Sequence, residues 1–425
     1  MINIIWSLSN LVYFLCNTYF GSEVAFDTPE VTSPTIKSVH GFRDIWNTSI
    51  IDLLRHTPQI RCLSITILGS SRLTDLSTNI TSITKLDLLF TKSELSPLVN
   101  FLRRTRNLTY LKLDMIHNAI PAQAWEKLIE KYLTNLKTLH FKMNFIAAKA
   151  GSTGEEQVEQ IVDTFRNPFW LDEHRWFVQC DWSPITEKCY VYTLPYAFEN
   201  FNIDFPICFK STCAIDNVSC FYDRVRRLTY KATPDYLYES LTLSHIQFSN
   251  IEHITIDLTD AYRFRYKNGQ NDSSAYGCEV NCLNRLQQIL EHYRRITSLH
   301  LCGWPLAILN MPQYNINDVS VFELNLRSHP GQEYYYTQEE CNQFSRSILS
   351  IQCKILTIDV EDQICVYELI IKMSNLQMVN VRFRHKKQQN SRDGDLMEWL
   401  RRKIQVVYSG IKGITWRGDY LFIEH

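Results

Sequence analysis

Glycine is scarce in this sequence, and the common catalytic and phosphate-binding signatures are missing from it. Only 13 of the 425 residues are glycine, which leaves little room for glycine-rich loops that cradle phosphates. The patterns G-x-G-x-x-G, G-x-x-x-x-G-K-S/T, H-E-x-x-H and G-x-S-x-G do not occur, and neither does a kinase signature. The sequence therefore predicts a protein that is not an enzyme and that needs no cofactor.

A charge excess of either sign is missing as well. The chain has 44 Lys and Arg against 45 Asp and Glu, a net charge of -1. Nucleic-acid-binding domains and polybasic membrane-surface proteins usually show a large basic excess. We therefore expect neither nucleic acid nor a membrane as the partner. Apolar residues make up 45% of the chain, which is enough to bury a sizeable core.

The 13 cysteines form no C-x-x-C pair, the close pairing from which structural zinc sites are usually built. The two densest groups are Cys208, Cys213 and Cys220, and the pair Cys278 and Cys282, and their spacing is irregular. An odd number of cysteines scattered along a long chain is not typical of a disulfide-bonded secreted scaffold. We predict free thiols, no metal site and a cytoplasmic protein.

The N-terminal segment, residues 1–55, begins with Met1–Ser22, in which no side chain is charged. A signal peptide has a similar apolar middle but normally starts with Lys or Arg. Asn, Ser and Thr also make this stretch too polar for a typical membrane span. The favoured interpretation is a helix packed on the rest of the fold, in a cap or a truncated module. The alternative is a secreted or membrane-anchored protein that uses Met1–Ser22 as its signal or anchor.

The pattern apolar-x-x-apolar-x-apolar recurs along the chain. Its first four copies are separated by 23, 25 and 28 residues, within the window of about 20 to 29 residues that is typical of leucine-rich repeats. A single copy is a weak signal, but eleven copies with near-regular spacing are hard to obtain by accident. The copies begin at Ile60, Ile83, Leu108, Leu136, Val225, Ile251, Ile296, Val321, Cys353, Leu376 and Ile411.

Helical patterns lie between the copies. Pro121 is placed to open one helix, and Thr337 with Glu340 predicts a capping box at the start of another. Strand and helix in alternation predict an α/β, leucine-rich-repeat-like solenoid over residues 56–425, with parallel strands on its concave side and helices on its convex side. Residues 167–222 interrupt the series. Two aromatic, β-prone runs on either side of a Pro-containing turn predict a hairpin insert there.

This repeat resembles the leucine-rich repeat region of F-box proteins, in a divergent form, from Ile60 to the end of the sequence. Proteins of that family are commonly substrate receptors of cullin-RING ubiquitin ligases, in which an N-terminal F-box docks onto the ligase adaptor and the solenoid holds the substrate. The F-box pattern, a Leu-Pro start followed by an acidic residue and a run of Leu or Ile, is not found in Met1–Leu54. The resemblance implies a protein partner of unidentified nature and, as a second partner, the ubiquitin-ligase adaptor.

The residues between the apolar positions of each copy would face the concave surface, because side chains alternate along a strand. Both charge signs are mixed there, which does not suit a phosphate backbone and does suit a protein or peptide. We therefore predict a monomeric, non-enzymatic protein-binding solenoid. The alternative is a secreted or membrane-tethered leucine-rich repeat ectodomain that binds a ligand. The predicted protein-binding residues are Lys85, Asp87, Tyr110, Lys112, Asp114, His140, Lys142, Arg227, Asp257, His300, Arg327, Arg382 and Arg417.

Overall fold

The chain divides into two compact units. Unit 1 comprises Met1–Ala197 and Ile207–Asn217, and unit 2 comprises Phe198–Pro206 and Val218–His425. The structure, a computed structural model, describes residues 2–15, 29–45, 47–67, 80–91, 95–117, 119–147, 154–204, 207–213, 219–231, 246–257, 286–293, 295–302, 321–327, 334–384, 398–399, 402, 413–417 and 420–424.

Each unit is built on one large sheet. The strands of sheet 1, in unit 1, are β1 (Tyr13–Leu15), β2 (Ser38–Ile45), β3 (Cys62–Ile67), β4 (Lys85–Phe90), β5 (Tyr110–Ile116), β6 (Thr138–Ile146), β7 (Phe177–Trp182), β8 (Lys188–Leu194) and β10 (Cys208–Ser211). The strands of sheet 2, in unit 2, are β9 (Asn200–Asp204), β11 (Arg227–Lys231), β12 (His253–Asp257), β13 (Ser298–Cys302), β14 (Glu323–Asn325), β15 (Ile355–Val360), β16 (Met378–Phe383), β17 (Gly413–Arg417) and β18 (Tyr420–Glu424).

Sheet 1 has the strand order β1-β2-β3-β4-β5-β6-β8-β7-β10. The first six strands are parallel to their neighbours, and β8, β7 and β10 are added antiparallel. The helices of unit 1 are α1 (Ile2–Trp6), α2 (Asn47–Arg55), α3 (Ser96–Arg104), α4 (Ala122–Tyr132) and α5 (Gly154–Thr164), with a π-helical turn at Phe169–Glu173.

Burial alternates along the parallel strands of sheet 1. On β5 the side chains of Leu111, Leu113 and Met115 are fully buried, whereas the residues between them are partly exposed. This period of two is what one buried sheet face requires. The helices pack on the buried face: Trp125 of α4 stacks on Phe141 of β6 with ring centroids 5.7 Å apart. The prediction of a helix opened by Pro121 is confirmed, because Pro121 is the extended N-cap residue of α4.

Sheet 2 has the order β17-β18-β16-β15-β14-β13-β12-β11-β9. Strands from β9 to β16 are parallel to their neighbours, and β18 and β17 complete the sheet in antiparallel orientation. The capping box of Thr337 and Glu340 is confirmed, since each residue's side chain accepts a hydrogen bond from the other's backbone N–H. The α-helices of unit 2 with defined bounds are α6 (Gln338–Phe344), α7 (Ile348–Gln352) and α8 (Gln363–Lys372), and a 3-10 turn spans Ser219–Tyr222.

The prediction of a leucine-rich-repeat-like solenoid is wrong. The described chain instead forms two large, mostly parallel α/β sheets, each in its own compact unit, with few and short helices. Each parallel run ends in antiparallel strands, and a uniform stack of strand-and-helix repeats does not contain such reversals. The copies of the repeated pattern do fall on strands. The pattern misled because it describes any strand with one buried face, whatever sheet the strand joins.

The aromatic run predicted as a hairpin insert forms β7 and β8, which pair antiparallel from Phe177↔Leu194 to Trp182↔Cys189. This hairpin joins sheet 1, since β8 also pairs with β6. Trp182 and Tyr192 of the hairpin are buried. Trp170, in the π-helical turn before the hairpin, is fully buried and in edge contact with Phe165, at a centroid distance of 4.8 Å.

The apolar N-terminal segment starts with α1, which is only five residues long, and continues into β1. Trp6 is fully buried and meets Phe14 edge-on with centroids 5.2 Å apart, so this part packs on unit 1. Residues 16–22 lie outside the described residues. In the described ranges, every helix is too short or too polar to cross a bilayer.

Candidate functional site

The polar face of sheet 1 is the face opposite its buried leucines. Asp87, Lys112 and His140 lie in one cross-strand row, because the register pairs Asp87 with Lys112 and Lys112 with His140. The face is formed by seven of the predicted residues, on three neighbouring strands: Lys85, Asp87, Tyr110, Lys112, Asp114, His140 and Lys142.

Two ion pairs organise this face. The Nζ atom of Lys112 lies 3.1 Å from Oδ2 of Asp87, and the Nζ atom of Lys142 lies 2.7 Å from Oδ2 of Asp114. The side chain of Asp87 is 40% exposed and that of Lys142 only 9%, so the face is more open at β4 than at β6. Pairs of opposite charge on adjacent strands contribute about 0.2–1 kcal/mol each. They also hold the charged groups in defined positions.

Asp114 has an unusual environment among these residues. Its Oδ1 atom is buried and accepts no hydrogen bond from any residue that the structure describes. Burial raises the pKa of this carboxyl, an effect that the ammonium groups of Lys142 and Lys112 oppose. A buried acceptor that lacks a donor is costly to the folded state.

Tyr110 and His140 add aromatic surface to the polar face. Their rings meet edge-on with centroids 5.8 Å apart, and Tyr110 is partly exposed. Tyrosine is among the residue types enriched at energetically dominant positions of protein interfaces. The polar face of sheet 1 therefore combines fixed charges of both signs with a rigid amphipathic ring.

A buried polar network lies further along sheet 1, in the hairpin of β7 and β8. The hydroxyl of Tyr192 donates to Asp181 at 2.5 Å, and Nε2 of Gln179 donates to Asp181 at 2.9 Å. Burial raises the pKa of Asp181 to about 7, although both hydrogen bonds favour the ionised form. This group was not predicted from the sequence, because its residues lie within an aromatic run that indicated core. The only local signal is the i, i+2 spacing of Gln179 and Asp181, which puts both on one strand face.

The other predicted residues belong to unit 2. Arg227 begins β11 next to Glu199, at 3.7 Å. Asp257 pairs in register with Cys302, and Nε2 of His300 lies 3.1 Å from Sγ of Cys302. Arg417 lies on β17, but its side chain is outside the described residues.

The arginine cluster is the most tightly organised group on sheet 2, and we define it as Arg327, Asp359, Asn380 and Arg382. Asp359 is fully buried and accepts from Nε of Arg327 at 3.0 Å, from Nε of Arg382 at 3.0 Å and from Nη2 of Arg382 at 2.5 Å. Nη2 of Arg327 also donates to Oδ1 of Asn380 at 2.6 Å. The structure thus brings Arg327 and Arg382 together through a buried carboxylate.

The cysteines that the structure describes differ in their exposure. Nine described cysteines are free thiols, and Cys208 is exposed whereas Cys353 is buried. In the same ranges, no group of three His, Cys, Asp or Glu side chains is placed to bind a metal ion. Cys278 and Cys282, which the sequence analysis singled out, lie outside the described residues.

Comparison with known proteins does not assign this chain to a family. A scan of the chain against protein-family models finds no match, and a search of the curated proteins finds no similar protein. Function is therefore inferred from the geometry of the two sheets.

Proposed function

We propose that this protein has no catalytic activity of its own and binds another protein through the polar face of sheet 1. The observation that carries the proposal is that the two faces of this sheet differ: one is covered by helices, and the other is polar and partly exposed. The helices pack on the leucine face, as Trp125 does on Phe141, while β4, β5 and β6 present partly exposed charged and aromatic side chains on the other face.

The alternation of charge favours a protein partner over a nucleic acid. Along the central row an aspartate, a lysine and a histidine follow one another on adjacent strands, so no continuous basic track exists for phosphates there. Interspersed charges specify a partner by complementarity, since a mismatched like charge costs several kcal/mol.

Preorganisation favours binding by the same residues. Lys112 and Lys142 are held by their ion pairs before a partner arrives, so less side-chain entropy is lost on association.

Site-specific photocrosslinking in cells tests the proposal. A photoreactive benzoylphenylalanine in place of Tyr110, on the polar face, is expected to crosslink to one discrete protein. The matched control carries the same group in place of Lys127, an exposed residue of α4 on the helical side, and is expected not to capture that protein. If neither position, or both positions equally, gives the crosslink, the polar face of sheet 1 is not the binding surface.

The proposal also includes the cellular compartment in which the protein acts. We place the protein in the cytoplasm, which the nine free cysteines of the described ranges support, because reducing compartments keep thiols unpaired. Alkylation of the unreduced native protein after denaturation is expected to modify these cysteines, and resistance to alkylation would indicate an oxidising compartment. The narrower idea taken from the F-box resemblance, that the partner is a ubiquitination substrate or the ligase adaptor, stays a prediction.

A further inference from the structure

We propose that the arginine cluster of sheet 2 is a second binding site, and that it receives the carboxylates of an acidic peptide segment. The site lies in unit 2 and does not depend on the polar face of sheet 1. Its basis is the way in which one buried carboxylate holds two guanidinium groups.

One of the two arginines, Arg382, is enough to provide a hydrogen bond to each carboxylate oxygen of Asp359. Arg382 donates from both Nε and Nη2 to the two oxygens of Asp359, at 3.0 and 2.5 Å, which is the two-bond geometry typical of an arginine and a carboxylate. The Nε atom of Arg327 adds a third donor at 3.0 Å. With two cations and one anion the group carries a net charge of +1. Arg382 therefore suffices to neutralise Asp359, and the positive charge of Arg327 remains uncompensated within this group.

Arg327 is held on several sides. Its Nε and Nη2 atoms donate to Asp359 and Asn380, and its backbone N–H donates to Oδ1 of Asn325 at 3.0 Å. Its guanidinium is thus fixed in position, while 29% of the side chain remains exposed. The third nitrogen, Nη1, donates to no residue that the structure describes. A fixed, partly exposed guanidinium with an open donor is a preorganised receptor for an oxyanion.

The surroundings favour a peptide carboxylate as the ligand. The ring of Tyr335 lies 5.8 Å from the guanidinium of Arg382, which provides apolar surface beside the charge. Arg384, two residues further along the chain than Arg382, is 56% exposed and already paired with Glu361 at 2.7 Å. The net positive charge at the site is small, which suits the single charge of a side-chain carboxylate better than the double charge of a phosphate.

Fluorescence anisotropy with the full chain tests this proposal. The probe is a labelled oligoglutamate peptide, with oligoglutamine of the same length as the uncharged comparison. We expect oligoglutamate alone to bind, and Arg327→Gln to weaken its binding about tenfold, the usual effect of losing a charge-assisted hydrogen bond. The matched control is Arg346→Gln, which removes the same charge from an exposed position of unit 2 between α6 and α7 and is expected to leave binding unchanged.

Three outcomes would overturn the proposal: no binding of oligoglutamate, equal binding by the wild type and Arg327→Gln, or an equal loss in Arg346→Gln. A phosphoserine peptide whose binding depends on Arg327, when oligoglutamate does not bind, would overturn the carboxylate assignment in favour of phosphate. Circular dichroism controls for folding. If Arg327→Gln is unfolded, Arg327→Lys replaces it and is also expected to bind more weakly, because lysine lacks the planar fork. None of these results alters the crosslinking outcome on sheet 1.

Discussion

The buried carboxyl of Asp181 makes the stability of this protein depend on pH. Burial raises its pKa from the ordinary value of 3.8 to about 7. Between these two values the folded protein keeps a proton that the unfolded chain has lost, so the free energy of unfolding decreases as the pH rises through this window. A difference of about three pKa units corresponds to about 4 kcal/mol, most of which is lost by pH 7.

The substitution Asp181→Asn removes this titration and keeps an oxygen that can accept from Gln179. Relative to the wild type, the variant is expected to gain about 4 kcal/mol in the free energy of unfolding between pH 4 and pH 8. Urea unfolding followed by tryptophan fluorescence measures this difference at each pH. The control is Gln160→Ala on α5, which changes an exposed, uncharged side chain, and its difference from the wild type is expected to stay nearly constant. A constant difference for Asp181→Asn as well would refute the reasoning, because the hydrogen bonds from Tyr192 and Gln179 would then keep Asp181 ionised throughout.

Three further predictions concern the core, a helix cap and the thiols. Trp125→Ala is expected to cost about 3–5 kcal/mol in the free energy of unfolding because it empties a fully buried site on Phe141, whereas Lys127→Ala on the same helix should cost little. Asp362→Ala is expected to cost about 1 kcal/mol, since the Asp362 side chain accepts from the first backbone N–H groups of α8; urea unfolding measures both. Iodoacetamide is expected to label exposed Cys208 in the native protein well before Cys353, where burial raises the pKa of the thiol to about 12, as peptide mass spectrometry would show.

Each of these predictions has a contradicting result. Equal losses for Trp125→Ala and Lys127→Ala would mean that α4 does not pack on the sheet through its tryptophan. An unchanged unfolding midpoint for Asp362→Ala would mean that the cap contributes nothing to α8. Labelling of Cys353 as fast as that of Cys208 would place Cys353 at the surface.

Local features of the fold were predictable from the sequence. The strand β5 follows from the alternation that buries Leu111 and Leu113, and the capping box at Thr337 follows from the three-residue spacing to Glu340. Both are short-range effects, in which the chain a few residues away determines the conformation. The position of Asp87 beside Lys112 was also within reach, since the strand spacing puts the two residues on the same face of neighbouring strands.

Long-range pairing was not predictable. The hairpin of β7 and β8 continues sheet 1 in antiparallel orientation because β8 pairs with β6, a contact that no local pattern specifies. The same holds for the arginine cluster: Arg327 is 32 residues from Asp359 and 53 from Asn380. From the sequence, Arg327 and Arg382 are predicted as separate surface residues, and only the folded structure shows that they share a buried carboxylate.

The central claim, that the polar face of sheet 1 binds a protein, is tested most directly by the affinity of the crosslinked partner for charge-reversed variants. Lys112→Glu places a like charge opposite Asp87 in the central row of the face, and Lys127→Glu makes the same change on the helical side. Isothermal titration calorimetry with the purified partner is expected to show at least about tenfold weaker binding for Lys112→Glu and unchanged binding for Lys127→Glu. Equal affinities for the wild type and Lys112→Glu would contradict the claim.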